Sequence, residues 1–229
     1  MDNIEIVRSE AYKLLDGEKS GHGSSHINRV AAIARKIAEG EESNKELVEA
    51  IALLHDVDDY KLFGKESEEN LTNTNMILSM TTYTQEEKEL IKDALKTIGY
   101  SKRLANIIPK SIEAKIVSDA DMLDAIGAIG LLRSIEYNIS HNNQLFDRNR
   151  FPILDMDAET YKLLDDNTCI NHVFEKMLKL KDLMLTETGK KEALKRHNFL
   201  IEFLKEFFYE QNEDEWLEYL DNYIKKLKK

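Results

Sequence analysis

Histidine and aspartate side chains interrupt the apolar faces of three predicted helices, and they are the first candidates for chemistry in this sequence. Each lies four residues from an aliphatic residue, in the pairs His26 and Val30, Ile51 and His55, and Val117 and Asp121. Residues four apart share one face of a helix, so these polar groups are expected to point inward with their apolar neighbours. Asp56 follows His55 directly and adds a second carboxylate.

A divalent cation would satisfy these four groups together. One histidine on an apolar face is usually a hydrogen-bonded core residue, but a buried carboxylate without a partner costs several kcal/mol or shifts its pKa instead. Two nitrogen and two oxygen ligands suit Zn, Mn, Fe, Ni or Co, and four protein ligands leave positions open for water and a substrate oxygen. The pattern therefore predicts one metal site, provided that the three helices converge.

The elements that must position these groups are helices. Of the 229 residues, 42% are hydrophobic, and the 9 Gly and 2 Pro are too few to form the turns of a many-stranded sandwich or barrel. Apolar residues recur at helical spacing almost throughout the chain. We therefore predict an all-α protein, a compact multi-helix bundle with additional C-terminal helices.

The ends of several helices are also marked in the sequence. Ser43 with Glu46 and Thr84 with Glu87 are capping-box pairs that predict two helix starts. The charged stretch HDVDDYKLFGKES is too polar to be core, and residues 138–157 are predicted to form a long loop. A helix over 112–132 is expected to break near Ser118. The C-terminal part is predicted to contain helices near 157–166, 169–186, 188–211 and 213–227.

Charge and cysteine content limit the partners and the compartment. Lys and Arg total 32 against 43 Asp and Glu, a net charge of −11, which opposes binding to nucleic acid or to an anionic membrane. No apolar run approaches the roughly 18 residues needed to span a bilayer, and the N-terminus lacks a leader pattern. The one cysteine, Cys169, cannot form an internal disulfide. These features predict a cytoplasmic protein that binds neither nucleic acid nor membranes.

Four sequence blocks surround these residues, in the order GHGSSHINRV, ALLHDVDDYK, KIVSDADMLDAIGAIG and KLKDLMLTETGKK. The His-Asp dipeptide alone is a weak signal, but the four blocks in this order are specific. They resemble the HD superfamily of metal-dependent phosphohydrolases, in particular small bacterial hydrolases of the YpgQ type. Together with the absence of a linker-like segment, the resemblance implies a single HD domain over residues 1–229, with a metal-site core at about 20–135 and a helical extension at about 157–229.

The resemblance also implies a role for each matching residue. The four metal ligands of the family match His26, His55, Asp56 and Asp121. Asp59 matches a catalytic acidic residue that orients or deprotonates the attacking water. Lys61 and Arg29 match basic residues that bind the phosphate chain of the substrate, and the alternative for both is surface salt bridging.

Neighbouring positions carry further expectations. Asp119 is expected to support the ligands, Asp124 to pair with a nearby base or helix cap, and Asp58 to lie in an exposed acidic loop. This chain has Gly23 where many relatives have Asp. Lys102 and Arg133 are candidates for phosphate contacts from their position only. Five aromatic residues are candidates for stacking a base, although aromatic residues at such spacings more often belong to the core. They are Tyr60, Phe63, Tyr100, Phe146 and Phe151.

The activity that the resemblance implies is hydrolysis of a nucleotide, namely of a (deoxy)nucleoside triphosphate to the monophosphate and pyrophosphate by a metal-activated water. The cofactor is one divalent ion, Mn, Ni, Co, Fe, Zn or Mg, and the partner is a small phosphorylated molecule. The alternatives are a phosphomonoesterase or phosphodiesterase on the same site and, from another class, a non-catalytic nucleotide-sensing protein. An apolar stripe from Phe199 to Phe207 predicts core packing, with a homodimer face as the alternative.

Overall fold

A computed structural model describes residues 2–18, 23–155 and 168–227 of the protein. The regular secondary structure of these residues is helical, which confirms the all-α prediction. Numbered along the chain, the α-helices are α1 (Asn3–Leu15), α2 (Ser24–Ala38), α3 (Lys45–Leu54), α4 (Tyr60–Asn70), α5 (Thr72–Ser79), α6 (Gln85–Leu95), α7 (Tyr100–Leu104), α8 (Ile112–Asp124), α9 (Gly127–Ser140), α10 (Cys169–Glu175), α11 (Glu187–Glu210) and α12 (Asp214–Leu227).

The chain divides into two compact units. The first comprises Met1–Asp124 and Leu183–Lys191, and the second comprises Ala125–Asp182 and Glu192–Lys229. Whether the two units form the single domain predicted from the sequence depends on how they assemble, so that statement stays a prediction. Within the part of the chain that the structure describes, no helix is both long and apolar enough to cross a lipid bilayer.

Helix α2 forms the centre of the first unit. It packs against α3 and α8, and α3 also contacts α1, α6 and α8. The buried face of α2 includes Ile27, Val30, Ala31, Ala34 and Ile37, which recur at the spacing of an amphipathic helix. Helices α2, α3 and α8 thus meet along their apolar faces, and these are the helices that carry or directly precede the predicted metal ligands.

One of the two predicted capping boxes is present. Thr84 and Glu87 exchange the expected side-chain to backbone hydrogen bonds at the start of α6. The other prediction is wrong by one residue, because Asn44 and not Ser43 precedes α3. The Asn44 side chain accepts hydrogen bonds from two backbone N–H groups in the first turn of α3. Asn is among the strongest N-cap residues, so it takes this position in preference to its neighbour.

The charged segment after α3 is more buried than its composition predicts. The prediction that Asp58 lies in an exposed acidic loop is wrong, since this residue is only 6% exposed. Its carboxylate accepts hydrogen bonds of 2.6 to 2.9 Å from the Ser67 hydroxyl, the Asn73 backbone and both the backbone and the hydroxyl of Thr74. These four donors stabilise the buried charge and hold the segment before α4 against the first turn of α5.

The predicted helix over 112–132 is interrupted at a different residue from the one expected. Ser118 is buried inside α8, which continues to Asp124. Helix α9 then begins at Gly127, whose φ of 76° lies in the left-handed region that glycine adopts without strain. The break is therefore set by the backbone conformation of a glycine rather than by the serine.

Several C-terminal elements also differ from the prediction. Helix α9 extends to Ser140, so the predicted loop begins later, and residues 141–155 contain no regular helix. The predicted helix near 157–166 lies outside the described residues. The predicted helix over 169–186 is instead α10 followed by a 3₁₀ helix, Met177–Leu183. Helices α11 and α12 lie close to their predicted positions.

An aromatic cluster forms the core of the second unit. Trp216 is fully buried, and its indole N–H donates a 3.0 Å hydrogen bond to the backbone carbonyl of Arg148. Phe146 and Phe151 pack against this indole with ring centroids 5.2 and 4.5 Å away. Phe146 is half-buried, which agrees with the core alternative, whereas Phe151 is 38% exposed and lies at the edge of the cluster. In the apolar stripe of α11, Leu200 and Leu204 are buried and Phe199 is exposed.

The segment from Leu183 to Lys191 is attached to α8 through Asp119. Both carboxylate oxygens of Asp119 accept hydrogen bonds, from the Leu185 backbone and from the backbone and hydroxyl of Thr186, at 2.7 to 3.1 Å. The Thr186 hydroxyl also accepts from the N–H of Gly189 in the first turn of α11. Asp119 therefore anchors this segment, and a Cβ atom at Gly189 would overlap its carboxylate.

We predict that Gly189→Ala destabilises the protein although alanine is the better helix former. The added methyl group must displace the Asp119 carboxylate or Thr186, and overpacking of this kind costs about 1–3 kcal/mol. Thermal unfolding should show a Tm lower by about 3–10 °C. The control is Lys191→Ala, an exposed position of the same helix, with a Tm within about 2 °C of the wild type. An unchanged or higher Tm for Gly189→Ala would contradict the close packing described here.

Candidate metal centre

Three helices of the first unit bring the four predicted ligands together. His26 lies in the first turn of α2, and Asp121 lies in the third turn of α8. His55 is the residue that ends α3, and Asp56 follows it. The side chains converge because the helices that carry them pack on one another along their buried faces.

The ligand atoms of His26, His55 and Asp56 lie within 4.8 Å of one another, and Asp121 lies near both imidazoles. The Nε2 atoms of His26 and His55 are 3.1 Å apart, and Asp56 Oδ2 is 3.4 Å from each. Asp121 Oδ1 lies 3.5 Å from His26 Nε2 and 3.9 Å from His55 Nε2. Donors that share one ion at about 2.1 Å are about 3.0–3.4 Å apart at octahedral and tetrahedral angles. The atoms therefore have the composition and nearly the spacing that one divalent ion requires.

The centre is closed on one side and accessible on the other. The side chains of His26 and His55 are 3% and 2% exposed, and that of Asp56 is 10% exposed. The side chain of Asp121 is 23% exposed. Solvent therefore reaches this centre on the Asp121 side, while the imidazoles are shielded from it.

Hydrogen bonds behind the two rings direct their Nε2 atoms inward. His55 Nδ1 donates to the Ala52 carbonyl oxygen at 2.8 Å, and His26 Nδ1 lies 2.7 Å from Asp124 Oδ2. A carbonyl or carboxylate oxygen accepts the Nδ1 proton, so each ring keeps Nε2 for the centre. This is the arrangement that metal-binding histidines adopt in proteins.

The carboxylates control the protonation of the centre. Burial alone would lower the pKa of His26, but hydrogen bonds with Asp121 and Asp124 and the charge of Asp56 raise it to about 9. Burial raises the pKa of Asp121, and the opposing effect of the two histidines is larger, so the net shift is downward. In the metal-free protein at neutral pH, a protonated His26 therefore offsets part of the negative charge.

Arg29 forms an ion pair with Asp124. Its Nε and Nη2 atoms donate to the two oxygens of that carboxylate at 2.8 and 3.0 Å. This ion pair corresponds to the salt bridge that was the alternative to phosphate binding for Arg29. The contact of Arg29 with a phosphate stays a prediction. The sequence predicted that Asp124 pairs with a nearby base or a helix cap, and it did not identify the base. A usable signal was the spacing, because Arg29 follows His26 by three residues and Asp124 follows Asp121 by three.

Two further predicted site residues lie at the start of α4, outside the cluster of four. Asp59 is the residue that precedes this helix, and Lys61 lies in its first turn. The Asp59 carboxylate caps this helix by accepting a 2.9 Å hydrogen bond from the Lys61 N–H. The Lys61 ammonium is 6.0 Å from the centre of the Tyr60 ring, and the side chain is exposed. Lys102 pairs with Glu68 at 3.0 Å. The catalytic and phosphate-binding roles of these residues stay predictions, as does that of Arg133, which belongs to the second unit.

Gly23 directly precedes α2 and provides no side-chain cap for it. A Cβ atom at this position would lie 2.7 Å from the carbonyl oxygen of Glu18, closer than such atoms approach in proteins. The backbone before α2 therefore passes too near for a larger side chain at this position.

Comparison with known proteins identifies relatives over most of the chain. A family model of the HD domain matches residues 23–126, which include all four residues of the cluster. YpgQ of Bacillus subtilis (strain 168) is 31% identical over 216 residues, which cover 90% of this chain and 92% of that protein.

Solved structures show the same similarity. A protein from Lactobacillus plantarum is 32% identical, with a TM-score of 0.79 over 91% of this chain and 96% of its own. An HD-superfamily hydrolase from Bacillus thuringiensis is 31% identical, with a TM-score of 0.71 and the same two coverages. YpgQ crystallised in complex with ADP has a TM-score of 0.69 at 27% identity, covering 91% of this chain and 94% of that one.

These relatives share both the sequence and the fold of this protein along nearly its whole length. HD domains bind divalent metals, and the cluster of His26, His55 and Asp56 is suited to hold one. The chain therefore belongs to the HD-domain superfamily of metal-dependent hydrolases, alongside YpgQ.

Proposed function

We propose that this protein hydrolyses nucleoside triphosphates to monophosphates and pyrophosphate, using a divalent metal held by His26, His55, Asp56 and Asp121. One observation carries the proposal. Each imidazole Nε2 atom lies within 3.9 Å of the other and of both carboxylates. This is a donor set for a catalytic metal, and it leaves coordination positions for water and substrate.

The charge of the centre supports a dication. Two neutral imidazoles with Asp56 and Asp121 supply a charge of −2. The nearby charge of Asp124 does not add to it, because Arg29 pairs with that carboxylate through two hydrogen bonds. Two carboxylates that face the same pair of shielded imidazoles repel each other unless positive charge lies beside them. A divalent ion at the centre would thus complete a neutral site.

Residues of the chain supply the remaining parts of the reaction. A bound divalent ion would provide a water whose pKa is lowered to about 7 and would offset charge on a phosphoryl oxygen. Asp59 is proposed to orient that water and accept its proton while the oxygen forms a bond to the α-phosphorus. The bond between this phosphorus and the bridging oxygen then breaks, and pyrophosphate leaves. One oxygen of the Asp59 carboxylate also accepts the helix-capping hydrogen bond from the Lys61 N–H.

A nucleotide is the ligand class best supported by the relatives. YpgQ has been crystallised with ADP, and it is similar to this chain over nearly its full length. A protein with a net charge of −11 needs a local positive group to hold a phosphate chain. Lys61 is proposed for this role, because its exposed ammonium group stands two residues from Asp59. Arg29 is a weaker candidate, since two of its N–H groups already bind Asp124.

We predict that Asp121→Ala lowers the metal content without unfolding the protein. The wild type should retain about one divalent ion per chain after dialysis, and the variant only a small fraction of that. Inductively coupled plasma mass spectrometry measures the metal, and circular dichroism checks the helices. Asp59→Asn is the control and should keep its metal. Full metal content in Asp121→Ala would show that this ligand assignment is wrong.

The products distinguish the proposed reaction from its alternatives. Given Mn²⁺, Ni²⁺ or Co²⁺, the purified protein should release pyrophosphate from a nucleoside triphosphate, and chelation should stop the reaction. Release of orthophosphate would instead indicate a phosphatase, and cleavage of a phosphodiester would indicate a phosphodiesterase. Nucleotide binding without turnover across the metal panel would favour a sensor. Chromatography of the nucleotide products together with a pyrophosphate assay separates these outcomes.

We further predict that Asp59→Asn lowers kcat by about 10²–10⁴-fold, the usual contribution of a general base. Asparagine is also a good N-cap, so α4 should persist and KM should change little. The control is Glu66→Gln, which removes an exposed acid from the same helix and should leave kcat unchanged. Steady-state kinetics at saturating metal would refute the assignment of Asp59 if both variants matched the wild type.

A further inference from the structure

We infer that Asp124 and Arg29 form a positioning pair for His26, which holds its Nε2 atom towards the metal and strengthens metal binding. The inference rests on the proposed function in one respect, that His26 is a ligand. Neither Asp124 nor Arg29 reaches the metal in this scheme. They act through the imidazole.

The geometry forms a continuous chain of hydrogen bonds. Asp124 Oδ2 lies 2.7 Å from His26 Nδ1, and the same oxygen accepts a 3.0 Å hydrogen bond from Arg29 Nη2. The second oxygen, Oδ1, accepts from Arg29 Nε at 2.8 Å. The two parallel N–H donors hold the plane of the carboxylate. The carboxylate in turn fixes the orientation of the imidazole ring.

The charges of this pair are matched to its position. Asp124 is almost completely buried, whereas a third of the Arg29 side chain is exposed. A buried carboxylate is tolerated when it is both paired and hydrogen-bonded, and Arg29 meets both requirements. An ionised Asp124 makes the imidazole a stronger electron donor, because its negative charge favours the proton on Nδ1 and leaves the lone pair on Nε2.

The two histidines of the centre differ in this respect. His55 Nδ1 donates to the backbone carbonyl of Ala52, which fixes the ring but carries no charge. His26 alone of the two has a carboxylate behind it. The pair also links the helices that supply the ligands, since Arg29 is on α2 with His26 and Asp124 is on α8 with Asp121. Loss of the pair is therefore expected to weaken binding at His26 and to loosen the approach of these two helices.

The test is a set of metal dissociation constants, measured without any substrate. Wild type, Asp124→Asn, Arg29→Gln and Arg29→Lys would be titrated with Mn²⁺ or Zn²⁺ against a fluorescent chelator. Asp124→Asn should bind metal about 10–100-fold more weakly, the range typical of residues that support a metal ligand. Arg29→Gln should weaken binding less, because Asp124 keeps its bond to His26, and Arg29→Lys should recover part of that loss.

The matched control is Glu113→Gln, which alters another buried acid of α8. Glu113 accepts a hydrogen bond from the Asn44 backbone and lies eight residues before Asp121, about 12 Å away along α8. This variant should lower the Tm and leave the metal dissociation constant unchanged, which separates a loss of stability from a loss of positioning. In ¹⁵N spectra of the Zn²⁺-loaded wild type, His26 should also carry its proton on Nδ1.

Dissociation constants within about twofold of the wild type for both Asp124→Asn and Arg29→Gln would overturn the inference. If Asp124→Asn fails to fold, Arg29→Gln decides alone, since its side chain is partly exposed. Weaker binding in these variants supports the inference even if the wild type hydrolyses no phosphorylated substrate. Equal binding refutes it even if the wild type is a fully active hydrolase.

Discussion

The close approach of two imidazoles and two carboxylates in the first unit is the interaction on which the rest of the structure depends. Carboxylates held in a shielded position repel each other and lose their hydration, so positive charge is needed beside them. In the metal-free protein, His26 supplies this positive charge, because its raised pKa keeps the imidazole protonated at neutral pH. A divalent cation meets the same need more completely, and its binding free energy would add to the stability of the folded chain.

Buried aspartates fix the segments that carry the ligands. Asp58 lies two residues after Asp56 and holds the chain there through bonds to α4 and α5. Asp119 lies two residues before Asp121 and anchors the segment that precedes α11. Asp124 lies three residues after Asp121 and connects α8 to α2. These aspartates therefore hold the segments next to the ligands in place. The groups that donate hydrogen bonds to them come from other parts of the chain.

The convergence of the four side chains could be predicted from the sequence because helical periodicity assigns a face to each residue. His26, His55 and Asp121 could be placed inward from aliphatic neighbours four residues away, and the family blocks made the choice specific. The same reasoning failed for Asp58. Nothing in its local sequence shows that Ser67 and Thr74 return to satisfy it. Burial of a polar group depends on partners remote in sequence, which periodicity does not reveal.

Helix ends were harder to predict than helix faces. The break after Asp124 depends on the left-handed conformation of Gly127, while Ser118 is compatible with an uninterrupted helix. Arg29 and Asp124 are 95 positions apart in the sequence. Their equal spacing from the ligands therefore indicates that they pair only once the packing of α2 against α8 is known. Sequence patterns thus identified which groups meet, and the structure identified what holds them in place.

Anomalous diffraction from crystals grown with Mn²⁺ tests most directly whether these four side chains bind one metal ion. One strong anomalous peak per chain is expected, at about 2.0–2.3 Å from the Nε2 atoms of His26 and His55 and from carboxylate oxygens of Asp56 and Asp121. A peak bound by other residues, or a well-ordered cluster of these four side chains with no peak at saturating Mn²⁺, would contradict it.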